Sequence, residues 1–179
     1  MNALLRWLFR RMGWTIKGQL PQLPRYVLAV APHTSSWDFV IGMMVRAELR
    51  LYSVRFLGKK ELFDGPLGWF FRSVGGVGVD RKSSKDVVAQ TVEEFQRHQE
   101  FVLALAPEGT RKKTGKLRTG FYYMALGAGV PIVPVGLDFS RKQIVIRDLF
   151  QPTGDLEKDM AELLAFFRTI RGKNPEMGL

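Results

Sequence analysis

Compact apolar runs alternate with stripes of helical spacing along most of the chain. Tyr26–Ala31 (YVLAVA) and Phe101–Ala106 (FVLALA) are continuous apolar stretches, each ended by a proline. That is the pattern of a strand buried on both faces. Pro131–Leu137 and Gln143–Arg147 read as further strands, and Val54–Leu57 as a shorter one. Between them lie helical segments. Val40, Ile41, Met44, Val45 and Leu49 share a stripe within Trp37–Leu51; Val87, Val88, Val92 and Phe95 do so within Ser84–Gln96, with Ser83 or Ser84 as N-cap. Met160, Leu163, Leu164, Phe167 and Ile170 form the inner stripe of a helix over Leu156–Ile170. Lys59–Leu62, Leu67–Arg72 and Gly120–Leu126 predict shorter helices, the last stopped by Gly127 and Gly129, and Gly18–Pro24 reads as a connector. Strands alternating with helices in one chain of 179 residues predict a single α/β domain with a mostly parallel core sheet flanked by helices.

The N-terminus adds an amphipathic helix. Leu4, Leu5, Trp7, Leu8, Phe9 and Met12 cover one broad face, and Arg6 and Arg10 lie together opposite. Such a helix either packs back on the domain or lies flat in a lipid interface, with Trp7 and Trp14 at headgroup depth. The two tryptophans and the basic face favour the interface, so residues 1–17 are expected to form a membrane-interface helix and 18–179 the main domain. The scattered arginines and the lack of a small-residue cleavage site fit a secretory signal poorly.

Composition narrows the partners. Hydrophobic residues make up 46% and charged residues 25%, which places the chain among folded domains. The net charge of +10 points outward, to nucleic acid, an anionic membrane, a phosphorylated substrate or an acidic carrier protein, or else to simple solvation. The absence of cysteine removes disulfides, thiolate zinc sites and a cysteine nucleophile. No apolar run approaches the roughly 20 residues that span a bilayer.

The candidate chemistry lies after the strands. His33 and Asp38, in HTSSWD, follow the YVLAVA strand and Pro32, at the carboxyl end where α/β sheets carry their sites. A carboxylate on one imidazole nitrogen fixes the tautomer and leaves the other nitrogen as a base. Five residues on an ideal helix are about 140° apart, so the pair requires a non-helical turn. The plain alternative is an Asp favoured by the first turn of a helix, beside an incidental His. Pro107-Glu108-Gly109-Thr110-Arg111 follows the second buried strand: Glu108 suits a hydroxyl and Arg111 a phosphate, Gly109 permits close approach, and Lys112, Lys113, Lys116 and Arg118 make the segment basic. Gly75–Arg81 (GGVGVDR) ends a glycine-rich strand with Asp80 and Arg81, without a dinucleotide or phosphate-loop spacing. His98, in a polar stretch, reads as a solvated loop residue. Two separated histidines make no metal cluster, and no serine elbow is present.

Taken together and in order, HTSSWD, GVGVDR, APEGTR and VPIVPV resemble the four sequence blocks of the glycerophosphate and lysophosphatidic acid acyltransferase family, over residues 26–137. The tract Lys116–Phe121 is similar to the family's basic segment. The resemblance implies transfer of a fatty acyl chain from acyl-CoA or acyl carrier protein to the hydroxyl of a lysophosphatidate-like acceptor, with no further cofactor. It implies His33 as general base, Asp38 as its orienting partner, and no acyl-enzyme. Arg81, Glu108, Gly109, Thr110, Arg111 and Lys116 are the implied acceptor-binding positions, and Pro131 and Pro134 an apolar wall near the acyl chain. Gly78 stands where the family usually has a large aromatic, and Lys112 where serine is frequent. The expected place is the cytoplasmic face of a membrane, bound peripherally to an anionic surface, with no nucleic acid partner. Rival readings are transfer to another lysolipid, such as an amino-acid-containing one, a hydrolase using the same His–Asp pair, and a non-catalytic basic module for anionic lipid or nucleic acid.

Overall fold

The structure, a computed structural model, describes residues 2–79, 84–110, 113 and 115–179. In chain order the elements are α1 (Asn2–Arg11), β1 (Thr15–Lys17), β2 (Arg25–Ala31), α2 (Trp37–Glu48), β3 (Val54–Lys59), α3 (Lys60–Asp64), α4 (Gly68–Ser73), β4 (Gly76–Val79), α5 (Ser84–Arg97), β5 (Phe101–Leu105), α6 (Gly120–Ala128), β6 (Ile132–Asp138), β7 (Gln143–Ile146) and α7 (Leu156–Phe167). The strands form one sheet in the order β1-β7-β6-β2-β5-β3-β4. Every pairing is parallel except β6 with β7, which follow one another through a short turn and run antiparallel. The α/β domain expected from the alternation of strands and helices is therefore present.

The central strand shows why it forms. Side chains of a strand alternate between faces, and both faces of β2 are covered. Val27, Ala29 and Ala31 pack with Phe95, Leu103, Tyr122, Leu163 and Phe167 on one side. Tyr26 and Leu28 pack with Phe9, Trp14, Ile41 and Met44 on the other. Each large aliphatic side chain so enclosed contributes about 1.5–3 kcal/mol. All seven residues of β6, Pro134 included, are buried, so most of the VPIVPV block is core strand, with Pro131 half-buried just before it.

Two differences from the sequence reading have clear causes. Strand β1 is only three residues with one apolar position, too short for a periodicity to register, yet it pairs with β7 from Thr15↔Gln143 to Lys17↔Val145. The N-terminal helix is seated on the domain. Phe9 and Trp14 are buried, Trp14 meets Phe139 edge-on at 5.0 Å, and α1 packs along α2. Trp14 is therefore a core residue and not an interfacial one. Arg10 reaches Glu48 of α2 at 2.7 Å, with Arg6 at 3.6 Å from the same carboxylate, so the basic face is turned onto a neighbouring helix. Leu4 and Trp7 remain outside, Trp7 with 57% of its surface exposed.

The glycines of β3 and β4 serve one ring. A Cβ at Gly58, Gly76 or Gly78 would fall 2.8, 2.6 or 2.9 Å from Phe63 of α3. The space above Gly78, the position noted as a departure from the resembled pattern, is filled by a side chain from another element.

Candidate active site

Adjacent parallel strands end together, and this brings the candidate loops into contact. β2 and β5 are paired through Ala29↔Leu105, so the chain leaving β2 at Pro32-His33 emerges beside the chain leaving β5 at Pro107-Glu108. Between β2 and α2 the chain is non-helical through residue 36, which is the turn that a His–Asp pair five residues apart requires. His33 Nδ1 lies 3.0 Å from Asp38 Oδ2. The Asp38 side chain is almost fully enclosed, while the His33 ring keeps 32% of its surface exposed. Asp38 thus engages one ring nitrogen and leaves Nε2 available for chemistry.

The same Asp38 oxygen accepts the backbone N–H groups of Thr34 and Ser35, each at 2.8 Å. Asp38 consequently fixes both the ring and the backbone that carries it. Its second oxygen, Oδ1, is buried and makes no hydrogen bond among the described residues.

Glu108 supplies the third anchor. It is only 3% exposed, and its Oε2 accepts the backbone N–H of His33. Burial pushes the Glu108 carboxyl above its ordinary value, with the His33 N–H pulling the other way. Glu108, which the sequence reading offers to a substrate hydroxyl, also grips the His33 loop from the neighbouring strand. Three consecutive amides, those of residues 33, 34 and 35, are therefore held by two buried carboxylates.

Gly109 follows with φ +66, a conformation that favours glycine, and a Cβ there would fall 2.6 Å from Arg118 Cδ. Arg118 is tied back by its own N–H to the Pro107 carbonyl at 2.8 Å. The basic segment thus folds against the Glu108 loop, and Arg118 is a site neighbour that the motif alone did not single out. Thr110 is half-buried in that loop and Lys116 is exposed on the segment. Arg81 and Arg111 lie outside the described residues. Strand β4, which leads to Arg81, is three strands from β2, roughly 14 Å across the sheet at normal spacing.

His98 is an exposed residue at the end of α5, its Nδ1 3.0 Å from the Glu94 carbonyl. It borders a cavity of about 380 Å³ between α5 and the β3–β4 edge, floored by Leu57, Val77 and Phe101, which shares no residue with the His33 loop.

An α/β sheet carrying a carboxylate-oriented histidine at the end of its central strand has the layout of an acid–base site. A model of the acyltransferase family matches residues 11–138, and the chain belongs to that family. It is 28% identical over 130 residues to the 1-acyl-sn-glycerol-3-phosphate acyltransferase of Escherichia coli, covering 67% of this chain and 50% of that protein. With the enzyme of the same description from Haemophilus influenzae it shares 30% identity over 152 residues, covering 75% and 60%. The chain therefore spans half to three fifths of the length of these curated relatives. Among solved structures, the 1-acyl-sn-glycerophosphate (LPA) acyltransferase of Thermotoga maritima superposes with a TM-score of 0.56 at 18% identity, over 96% of this chain and 81% of that one. At that identity the likeness establishes the shared fold.

Proposed function

We propose that the protein is an O-acyltransferase of phospholipid biosynthesis that moves a fatty acyl chain from a thioester donor to the free hydroxyl of a 1-acyl-glycerol-3-phosphate-type acceptor. The observation that carries this reading is the His33 Nδ1 to Asp38 contact of 3.0 Å on a loop held by Glu108. The names of the matched relatives supply the acceptor class.

The chemistry follows from the pair. His33 Nε2 takes the proton of the acceptor hydroxyl as its oxygen attacks the thioester carbonyl. Asp38 stabilises the imidazolium that forms. The tetrahedral intermediate collapses, the carbon–sulfur bond breaks, and His33 returns its proton to the departing thiolate. The ester and a free thiol are the products, and no covalent acyl-enzyme intervenes. Arg81, Glu108, Gly109, Thr110, Arg111 and Lys116 are assigned by resemblance to the acceptor phosphate and headgroup, and Glu108 in addition holds the His33 loop. The donor is acyl-CoA or acyl carrier protein, and a net charge of +10 suits either polyanion.

The setting we propose is the cytoplasmic face of an anionic membrane, bound peripherally. No described helix is long and apolar enough to cross a bilayer. Leu4 and Trp7 project from α1, which packs on α2, and Phe39 of α2 meets Phe71 of α4 at 6.1 Å. Leu67 and Trp69, the latter 69% exposed, project from this α4 region. Exposed apolar side chains beside arginines on linked helices suit a lipid headgroup layer.

The test is thiol release from long-chain acyl-CoA, with and without lysophosphatidic acid, on wild type and His33→Ala. Acceptor-dependent release that disappears in the variant supports transfer. Release without acceptor favours the hydrolase. No release with CoA or carrier-protein donors, across several lysolipids, sinks the reading.

A further inference from the structure

We infer that the C-terminal segment Arg171–Asn174 is a strap that positions the His33 loop from behind, with Asn174 as its positioning residue. The inference rests on the acyl transfer proposed above and adds to it a part of the chain beyond the family match, which ends at residue 138.

Thr34, between His33 and Ser35, is only 3% exposed. Its three polar atoms each have a partner. The N–H donates to Asp38 at 2.8 Å, the Oγ1 accepts the backbone N–H of Asn174 at 3.2 Å, and the carbonyl accepts Asn174 Nδ2 at 3.0 Å. Asn174 therefore mirrors Asp38 on the opposite side of the same residue, although 140 positions separate it from Thr34. A buried carbonyl deprived of its donor pays a desolvation cost, so the loop would move to recover one.

The strap is held close at both ends. The Arg171 carbonyl accepts the N–H of Phe139, at the end of β6, at 2.9 Å. A Cβ at Gly172 would fall 2.7 Å from Thr34 Oγ1 and 3.0 Å from Pro32 Cγ, so only glycine lets this backbone lie against the loop. Lys173 Nζ sits 4.4 Å above the ring of Trp37, the residue before Asp38. Every strap residue thus touches the loop, the first residue of α2 or the end of the sheet. Because a general base works only within a narrow range of position, a small displacement lowers the rate of the chemical step while leaving binding intact.

The experiment uses the full chain with ring-labelled histidine, in which His98 serves as the internal reference. In Asn174→Ala the His33 ring resonances should move and those of His98 should stay. In the thiol-release assay kcat should fall about 10- to 100-fold with unchanged KM for donor and acceptor, and Asn174→Ala should add no further loss to His33→Ala. Gly172→Ala, which pushes on Thr34 directly, should behave alike, while exposed Glu176→Ala on the same tail should be neutral. Unmoved His33 resonances with wild-type kcat overturn the strap, as does movement of both histidines with a general loss of stability. A wild-type chain without transferase activity would count against the reaction and not the strap, which the His33 resonances still decide.

Discussion

The carboxylate of Glu108 accepts the backbone N–H of His33, joining two loops 75 positions apart. Burial raises the Glu108 carboxyl above its ordinary value, so the folded chain holds that proton more tightly than the unfolded one. The contribution to stability is then full below the ordinary glutamate range and is lost as pH rises through the raised value. Glu108→Gln keeps an acceptor for the His33 N–H but cannot ionise. Denaturant unfolding across a pH series should show wild type losing stability relative to Glu108→Gln as pH rises from about 4.3. Parallel curves would remove the claim.

His33→Ala should lower turnover by on the order of 10²–10⁴ with the melting temperature retained, because the ring is partly exposed and its removal opens no core cavity. Asp38→Asn should cost activity as well, through loss of the charge that stabilises the imidazolium. Steady-state kinetics beside a thermal melt separate the two effects; turnover near wild type for His33→Ala ends the general-base assignment.

Leu4 and Trp7 are the large apolar α1 side chains left exposed when Phe9 takes its place in the core. Deleting the helix would damage the domain, so the informative variant is Leu4→Ser with Trp7→Ser. Each apolar side chain moved into lipid contributes on the order of 2 kcal/mol, and binding to phosphatidylglycerol vesicles should drop by more than about tenfold with an unchanged melt. Undiminished co-sedimentation would show that α1 is no anchor.

Asp159, buried in α7, accepts the Tyr122 hydroxyl at 2.8 Å and the N–H and hydroxyl of Thr153 at 2.7 and 2.9 Å. Burial alone would raise its carboxyl; the Thr153 and Tyr122 donors outweigh that and hold it below the ordinary aspartate value. Its stabilisation is present above that value and lost as pH falls. Asp159→Ala should cost about 2–4 kcal/mol, measured by urea unfolding near neutral pH. A change within the noise of the assay would refute the network's role.

What the sequence made legible was whatever had a local period. β2 and β5 stood out because burial on both faces leaves continuous apolar runs, and His33 and Asp38 because the turn before α2 keeps them within one short segment. The grip of Glu108 on the His33 loop was not legible, since it follows from β2 and β5 being sheet neighbours, a fact of long-range order. The helix wheel of α1 had the same limit: an apolar face that meets a core reads the same as one that meets lipid. Trp14 went to the core because β1 places it beside Phe139. Asn174 carried no periodic signal, being one polar residue in a short tail.

The amides of residues 33–35 all point at carboxylate oxygens. An oxygen that gains negative charge in front of His33 would therefore draw no hydrogen bond from these three amides. The backbone of residues 33–35 is electrostatically inward-looking: its N–H groups are committed to buried carboxylates. On the proposed mechanism, removal of the proton and stabilisation of the oxyanion would then fall to separate groups, which evolution or design could alter one at a time.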